Sequence, residues 1–115
     1  MTIPAFSGLN TALRGVQAQQ AALNVVSHNI ANVETPGFKA TKVDFESSLR
    51  QAVSIGQPDV ATTSTSKSTE PNGPNDNNVR IDDETVSMID TNLKYQTMVE
   101  AMNAKFRLLR TAIGS

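Results

Sequence analysis

The stretch Ser27-His28-Asn29-Ile30-Ala31-Asn32-Val33-Glu34-Thr35-Pro36-Gly37-Phe38-Lys39 decides how this chain folds. Residues before it keep one helical spacing, and the chain beyond it must change direction. Pro36 pushes Thr35 out of the α region, and Pro36-Gly37 suit the two central positions of a type II turn. The spacing therefore predicts that the first helix ends by about Val33 or Glu34 and that residues 34–43 turn the chain. Asn29 and Asn32 lie three apart on the last helical turn. There their amides can bond carbonyls that the helix leaves unpaired, or backbone of the returning chain.

Upstream, Phe6, Leu9, Leu13, Val16, Gln20, Leu23, Ser27 and Ile30 alternate steps of three and four without a slip. That is a seam with a period near 3.5, flanked by a second stripe of small residues at Gly8, Ala12, Gly15 and Ala22. It predicts a helix over residues 4–33, with Pro4 tolerable in its first turn, able to accept close neighbours on more than one side. Downstream, Phe45, Leu49, Ala52 and Val53 share one helical face with Asp44 placed to cap it, which predicts a short helix over 44–54.

Residues 56–81 look different. From Gly56 to Asn78 the only aliphatic side chains are Val60 and Ala61, among prolines, glycines, serines, threonines and asparagines. Such a segment cannot offset its ordering entropy by burial. It is expected to be a flexible or extended loop, with at most a short extended segment near Val79 and Ile81. A last helix is expected over 82–113, capped by Asp82, acidic in its first turn and basic in its last turns. Its seam is Met88, Asn92, Tyr95, Val99, Met102, Phe106, Leu109 and Ile113, and Gly114 suits the position just after the helix. The fold class is thus mainly α: long amphipathic helices at both termini, packed as an antiparallel, coiled-coil-like pair, plus a short middle helix and a long polar loop, all within one domain spanning residues 1–115. With 38% hydrophobic residues, four Phe, one Tyr and no Trp, the material for a core is thin. The pair is expected to be marginal alone and to gain most by packing on other chains.

The formal net charge is -1 with scattered Lys and Arg, which argues against nucleic acid and acidic membrane surfaces as partners. No cysteine is present, so neither a disulfide framework nor a thiolate metal site is available. Residues 1–15 lack a basic segment followed by an unbroken apolar run, so a cleaved secretory signal is not expected, and no apolar run approaches the length of a membrane span. The lone His28 has no Cys or Gly-framed Ser to activate. Ser64-Thr65-Ser66-Lys67 matches a Ser-x-x-Lys pattern by coincidence of composition. Asn75, Asp76, Asp82 and Asp83 supply oxygen ligands without the glycine and glutamate positions of a calcium loop. No small-molecule substrate, metal or cofactor is expected, and the chain does not read as an enzyme.

The opening stretch strongly resembles the flagellar axial proteins, the rod and hook family, whose signature has the form Asn-Ile-Ala-Asn-x-x-Thr-Pro-Gly-Phe-Lys. It stands here as Asn29, Ile30, Ala31, Asn32, Thr35, Pro36, Gly37, Phe38 and Lys39. An amphipathic helix before it and another at the C-terminus complete the likeness. Short length sets aside the members with large inserted domains and leaves the proximal-rod subunits. Val79-Arg80-Ile81-Asp82-Asp83-Glu84 and Asn92-Leu93-Lys94-Tyr95-Gln96 look like the B type, while Thr97-Met98 departs from the C type, which stays as an alternative beside a small helical export adaptor or chaperone. The resemblance implies a structural subunit of the rod that carries motor torque across the cell envelope, exported by the flagellar type III apparatus. It implies as partners copies of itself, the C-type rod protein, the rod-to-ring adaptor and the export apparatus. The signature residues would form a structural joint, and the seams Phe6, Leu9, Leu13, Val16, Leu23, Ile30 and Met88, Tyr95, Val99, Met102, Phe106, Leu109, Ile113 would serve assembly.

Overall fold

The computed structural model describes residues 4–114, with side chains from Gly8 onward. The chain runs α1 (Pro4–Ala31), β1 (Thr41–Asp44), α2 (Glu46–Ser54), a 3-10 turn (Pro58–Val60), β2 (Ser64–Lys67), a second 3-10 turn (Pro74–Asp76) and α3 (Ile81–Gly114). It is mainly helical and elongated, 62 × 27 × 15 Å. The 34 residues of α3 alone span about 51 Å at 1.5 Å per residue.

The two long helices lie side by side, and the residues of α3 that face α1 run in reverse order. A side chain at Gly8 would meet Lys105, one at Gly15 would meet Met98, and Asn29 bonds Glu84. The stripe of α1 turned inward is the small-residue one. A Cβ on Gly15 would stand 3.0 Å from Met98 Sδ, so the absence of a side chain there makes room for the end of Met98. Ala18, Val26 and Asn29 are buried on the same side. The bulky seam lies about one residue, or 100°, further round the helix. Of its members Val16 is buried and Leu9, Leu23 and Ile30 are half-buried, while Leu13 is exposed. The side chain of Phe6 lies outside the described residues. On α3, Met88, Tyr95, Val99, Met102 and Leu109 are half-buried, whereas Phe106 and Ile113 are exposed.

The core is small, as the composition dictates. Ala18, Phe45, Ala52 and Ala61 form it, with Leu49 packed against them. One phenylalanine at the entrance to α2 fills the space between α2, α1 and the segment after Pro58. Arg14 closes that region by donating to the Ala61 carbonyl at 3.2 Å. Lys94 of α3 reaches Glu46 of α2 at 3.0 Å and Asp90 at 3.1 Å, and these bonds raise its pKa.

Four expectations change. The α-helical bonding of α1 stops at Ala31, and the last turn tightens into bonds from Asn32 N–H to Asn29 O (3.1 Å) and Val33 N–H to Ile30 O (3.2 Å). Asp82 is not the cap of α3. The helix starts at Ile81, Glu84 N–H donates to the Arg80 carbonyl at 2.9 Å, and Asp82 sits inside the acidic first turn. The extended segment is not at Val79 and Ile81 but at β1 and β2, which pair antiparallel with Thr41 opposite Lys67 and Asp44 opposite Ser64. The residues from 56 to 81 therefore carry a strand and two 3-10 turns, because hydrogen bonds from asparagine and serine side chains supply the ordering that apolar burial does not. α2 begins at Glu46 with Phe45, not Asp44, at the cap position; Asp44, one residue earlier, accepts from Ser47 N–H at 3.1 Å, and the Ser47 contacts lower its pKa.

Candidate functional site

The signature residues converge where α1 ends. Phe38 N–H donates to Thr35 O at 3.2 Å and Gly37 has φ +74, so Thr35-Pro36-Gly37-Phe38 is a type II turn with glycine at the position that demands positive φ. Asn32 braces it from the helix side. Its Nδ2 donates to the His28 carbonyl (2.8 Å), and its Oδ1 accepts from Thr35 Oγ1 (3.1 Å).

Asn29 does something else. Its side chain is 1% exposed, and its amide pairs with the backbone of Thr41 as a neighbouring strand would. Thr41 N–H donates to Asn29 Oδ1 at 3.0 Å, and Asn29 Nδ2 donates to Thr41 O at 2.9 Å. The second Nδ2 hydrogen points to the Glu84 carboxylate of α3, 3.2 Å from each oxygen. One side chain thus ties α1, β1 and α3 together. Burial pushes the Glu84 carboxyl above its ordinary pKa; the Asn29 bond opposes that shift, Asp83 adds to it and Lys42 opposes it.

The far wall of the joint is built by the polar segment. Gly37 N–H donates to Asn75 O at 2.7 Å and Asn78 N–H to Phe38 O at 3.2 Å. Asn77 Nδ2 donates to both the Asn32 and Thr35 carbonyls at 2.8 Å, while its Oδ1 accepts from Val79 N–H at 2.8 Å. Asn78 splices its amide into the end of the β-ribbon. Its Oδ1 accepts from Ala40 N–H (2.7 Å), and its Nδ2 donates to Ser68 O and Glu70 O (3.2 Å each), while Ser68 N–H still bonds Ala40 O directly (2.7 Å). Lys39 donates to the Asn72 side chain and the Asp76 carbonyl. Phe38 sits edge-on to His28 with ring centroids 5.4 Å apart and takes the Lys67 ammonium over its ring at 5.7 Å. Among the described residues, every buried side-chain nitrogen and oxygen has a partner.

This arrangement holds backbone segments at fixed angles. His28 is exposed with its ring against Phe38, and Ser64 to Lys67 is β2. A cleft of about 550 Å³ lies between α1, β1 and the start of α3, and its Thr41, Asn78 and Glu84 are engaged in the bonds just described.

Residues 9–39 match the family model described as flagella basal body rod protein. Over most of its length the chain is similar to the flagellar basal body rod protein FlgB of Bacillus subtilis (strain 168), 34% identical over 125 residues that cover 94% of this chain and 95% of the relative. The chain belongs to the FlgB family of flagellar basal body rod proteins. FlgB of Aeromonas hydrophila is 30% identical over 121 residues, covering 92% of this chain and 90% of that protein. The flagellar basal-body rod protein FlgG of Caulobacter vibrioides shares 44% identity over 45 residues, only 39% of this chain and 17% of its own length. In this member of the FlgB family, sequence reasoning overlooked Asn77, Asn78 and Glu84 as parts of the joint. The asparagines lay in a run read as loop composition, and Glu84 in a run read as dipole complement. No local feature of the sequence marks them: an asparagine bonded to distant backbone and one in an open loop carry the same two donors and one carbonyl acceptor.

Proposed function

We propose that the chain is a structural subunit of the flagellar basal body rod, of the B type in its proximal part, and not an enzyme. The observation that carries this is similarity to FlgB proteins over nine-tenths or more of both chains. The geometry supports the same role: α1 and α3 act as an antiparallel, coiled-coil-like wall element, and the signature at Asn29 to Lys39 is the joint that fixes how the chain leaves it. The bulky seam of α1, turned away from α3 at Leu13, and the exposed Phe106 and Ile113 of α3 are apolar side chains that neighbouring subunits would cover.

The partners in this reading are copies of the chain, the C-type rod protein, the rod-to-ring adaptor and, during delivery, the type III export apparatus. The location is the basal body, in the rod that crosses the cell envelope. No helix among the described residues is long and apolar enough to cross a membrane. The test is fractionation: the tagged protein should co-purify with isolated basal bodies, and Leu13→Cys should cross-link to rod neighbours within them. A protein missing from basal bodies would defeat the proposal.

A further inference from the structure

The β-ribbon has one edge that the rest of the fold leaves open. Thr62 N–H bonds Ser48 Oγ (2.8 Å) and Ser68 N–H bonds Ala40 O (2.7 Å), so the even-numbered residues of β2 turn their backbone inward. Thr63, Thr65 and Lys67 therefore present N–H and C=O outward, and no partner for these groups occurs among the described residues. The opposite edge, on β1, is blocked at Thr41 by Asn29. All four residues of β2 are exposed.

Edge strands are normally guarded by being very short, or by proline, a bulge or an outward charge such as lysine, and β2 has only the first of these, at four residues. β2 contains no proline, its register with β1 is unbroken, and its one lysine is turned back across the ribbon, bonded to Thr41 Oγ1 at 3.1 Å and lying over the Phe38 ring. A two-stranded ribbon is marginal in water and gains stability from added strands.

We propose that this edge pairs with the same edge of a second copy, β2 against β2 antiparallel and centred on Thr65, to give a four-stranded sheet. The sequence is self-complementary in that register. Thr65 faces Thr65 of the other copy, and Thr63 faces Lys67, so outward groups meet outward groups in hydrogen-bonded pairs. The two lysines stand four positions apart, about 14 Å along the strands, where salt screens their repulsion. Shifting the centre to Lys67 would set the lysines directly opposite each other, which like charges disfavour. This contact is isologous and closes at two copies, whereas a shaft grows by heterologous contacts. It is therefore a state of the subunit before assembly; that last step rests on the rod reading, which fractionation of basal bodies tests separately.

The full chain has no cysteine, so single cysteines report cleanly. Directly opposed residues of a hydrogen-bonded antiparallel pair have Cα atoms about 5.5 Å apart, within disulfide reach, so Thr65→Cys should oxidise to a dimer about tenfold faster than Ser66→Cys on the same strand. Sedimentation of the unmodified chain from about 10 µM to about 1 mM should show concentration-dependent dimer, and Thr65→Pro, which deletes an outward N–H and no bond to β1, should abolish it. A chain monomeric throughout, Thr65→Cys oxidising no faster than Ser66→Cys, or a dimer that persists in Thr65→Pro would each overturn the proposal. If Thr65→Pro unfolds by circular dichroism, the comparison of the two cysteine variants decides.

Discussion

Asn29→Ala removes the side chain on which three elements meet. The loss takes away two neutral bonds to Thr41 and one to the Glu84 carboxylate. Neutral bonds contribute about 1 kcal/mol each and a bond to a charged group about 2, so the full loss is about 4 kcal/mol. Water offsets part of it, since Thr41 and Glu84 are only half-buried, and alanine's higher helix propensity returns about 0.6 kcal/mol. A net destabilisation of about 2 to 3 kcal/mol is expected, which lowers the melting temperature of a chain this size by about 10 °C. Thermal and urea unfolding followed by circular dichroism measure it. Hydrogen exchange at the Thr41 amide reads the lost bond directly. Asn24→Ala is the control, an exposed asparagine on the same helix whose change should stay within about 0.5 kcal/mol. If Asn29→Ala melts like the control and the Thr41 amide stays protected, the joint does not depend on this amide.

Three further outcomes are expected. Gly37→Val meets no atom within 4 Å but must adopt φ +74, a strain of about 1 to 2 kcal/mol that should impair assembly, scored by swimming, more than export, scored by secreted subunit; normal swimming would count against the joint. Gly15→Ala should be nearly neutral, because a helix gain of about 1 kcal/mol is offset by displacing the flexible end of Met98, whereas Gly15→Leu should push α1 from α3 and lower the melting temperature sharply. Glu84 has a raised folded pKa, so its contribution is fully present below the ordinary value of 4.5 and is lost as pH rises through the raised one. Glu84→Gln keeps an acceptor for Asn29 without that charge, so its stability relative to the natural chain should increase from pH 4 to pH 7; a difference constant with pH would show that burial of the carboxylate has no energetic consequence.

The end of α1 is legible in the sequence because Thr35-Pro36-Gly37 acts locally: ring sterics and the permissive φ of glycine need no partner. Both long helices are legible because their periodicity extends over seven turns or more. Which stripe of α1 meets α3 is less so. Bulky side chains advertise a seam, but Gly15 opposite Met98 shows that shape decides, since a protruding side chain needs a hollow to enter. The β-ribbon is hidden for another reason. Thr41–Asp44 holds a single aliphatic residue, and its partner is a run of hydroxyls some twenty residues on, so no alternation marks either strand. Asn77 and Asn78 are hidden because an asparagine in a loop and an asparagine bonded to backbone far along the chain look identical in one sequence.

The use of asparagine here stems from what the joint must do with so little apolar material. A core of Ala18, Phe45, Ala52 and Ala61 gives attraction without direction. The angle at which the chain leaves α1 needs directed bonds. A side-chain amide carries a donor and an acceptor side by side, so it can replace a peptide group opposite a backbone N–H and C=O at once. Asn29 does this at Thr41, and Asn78 does it between Ala40 and Ser68. Aspartate at position 29 would set a carboxylate against both the Thr41 carbonyl and Glu84. Serine would not span both backbone groups, and glutamine would carry the amide one methylene too far. The type of residue at each of these positions is therefore dictated by the pairing it makes, and the joint holds its shape through hydrogen bonds that apolar packing of this size is too weak to replace.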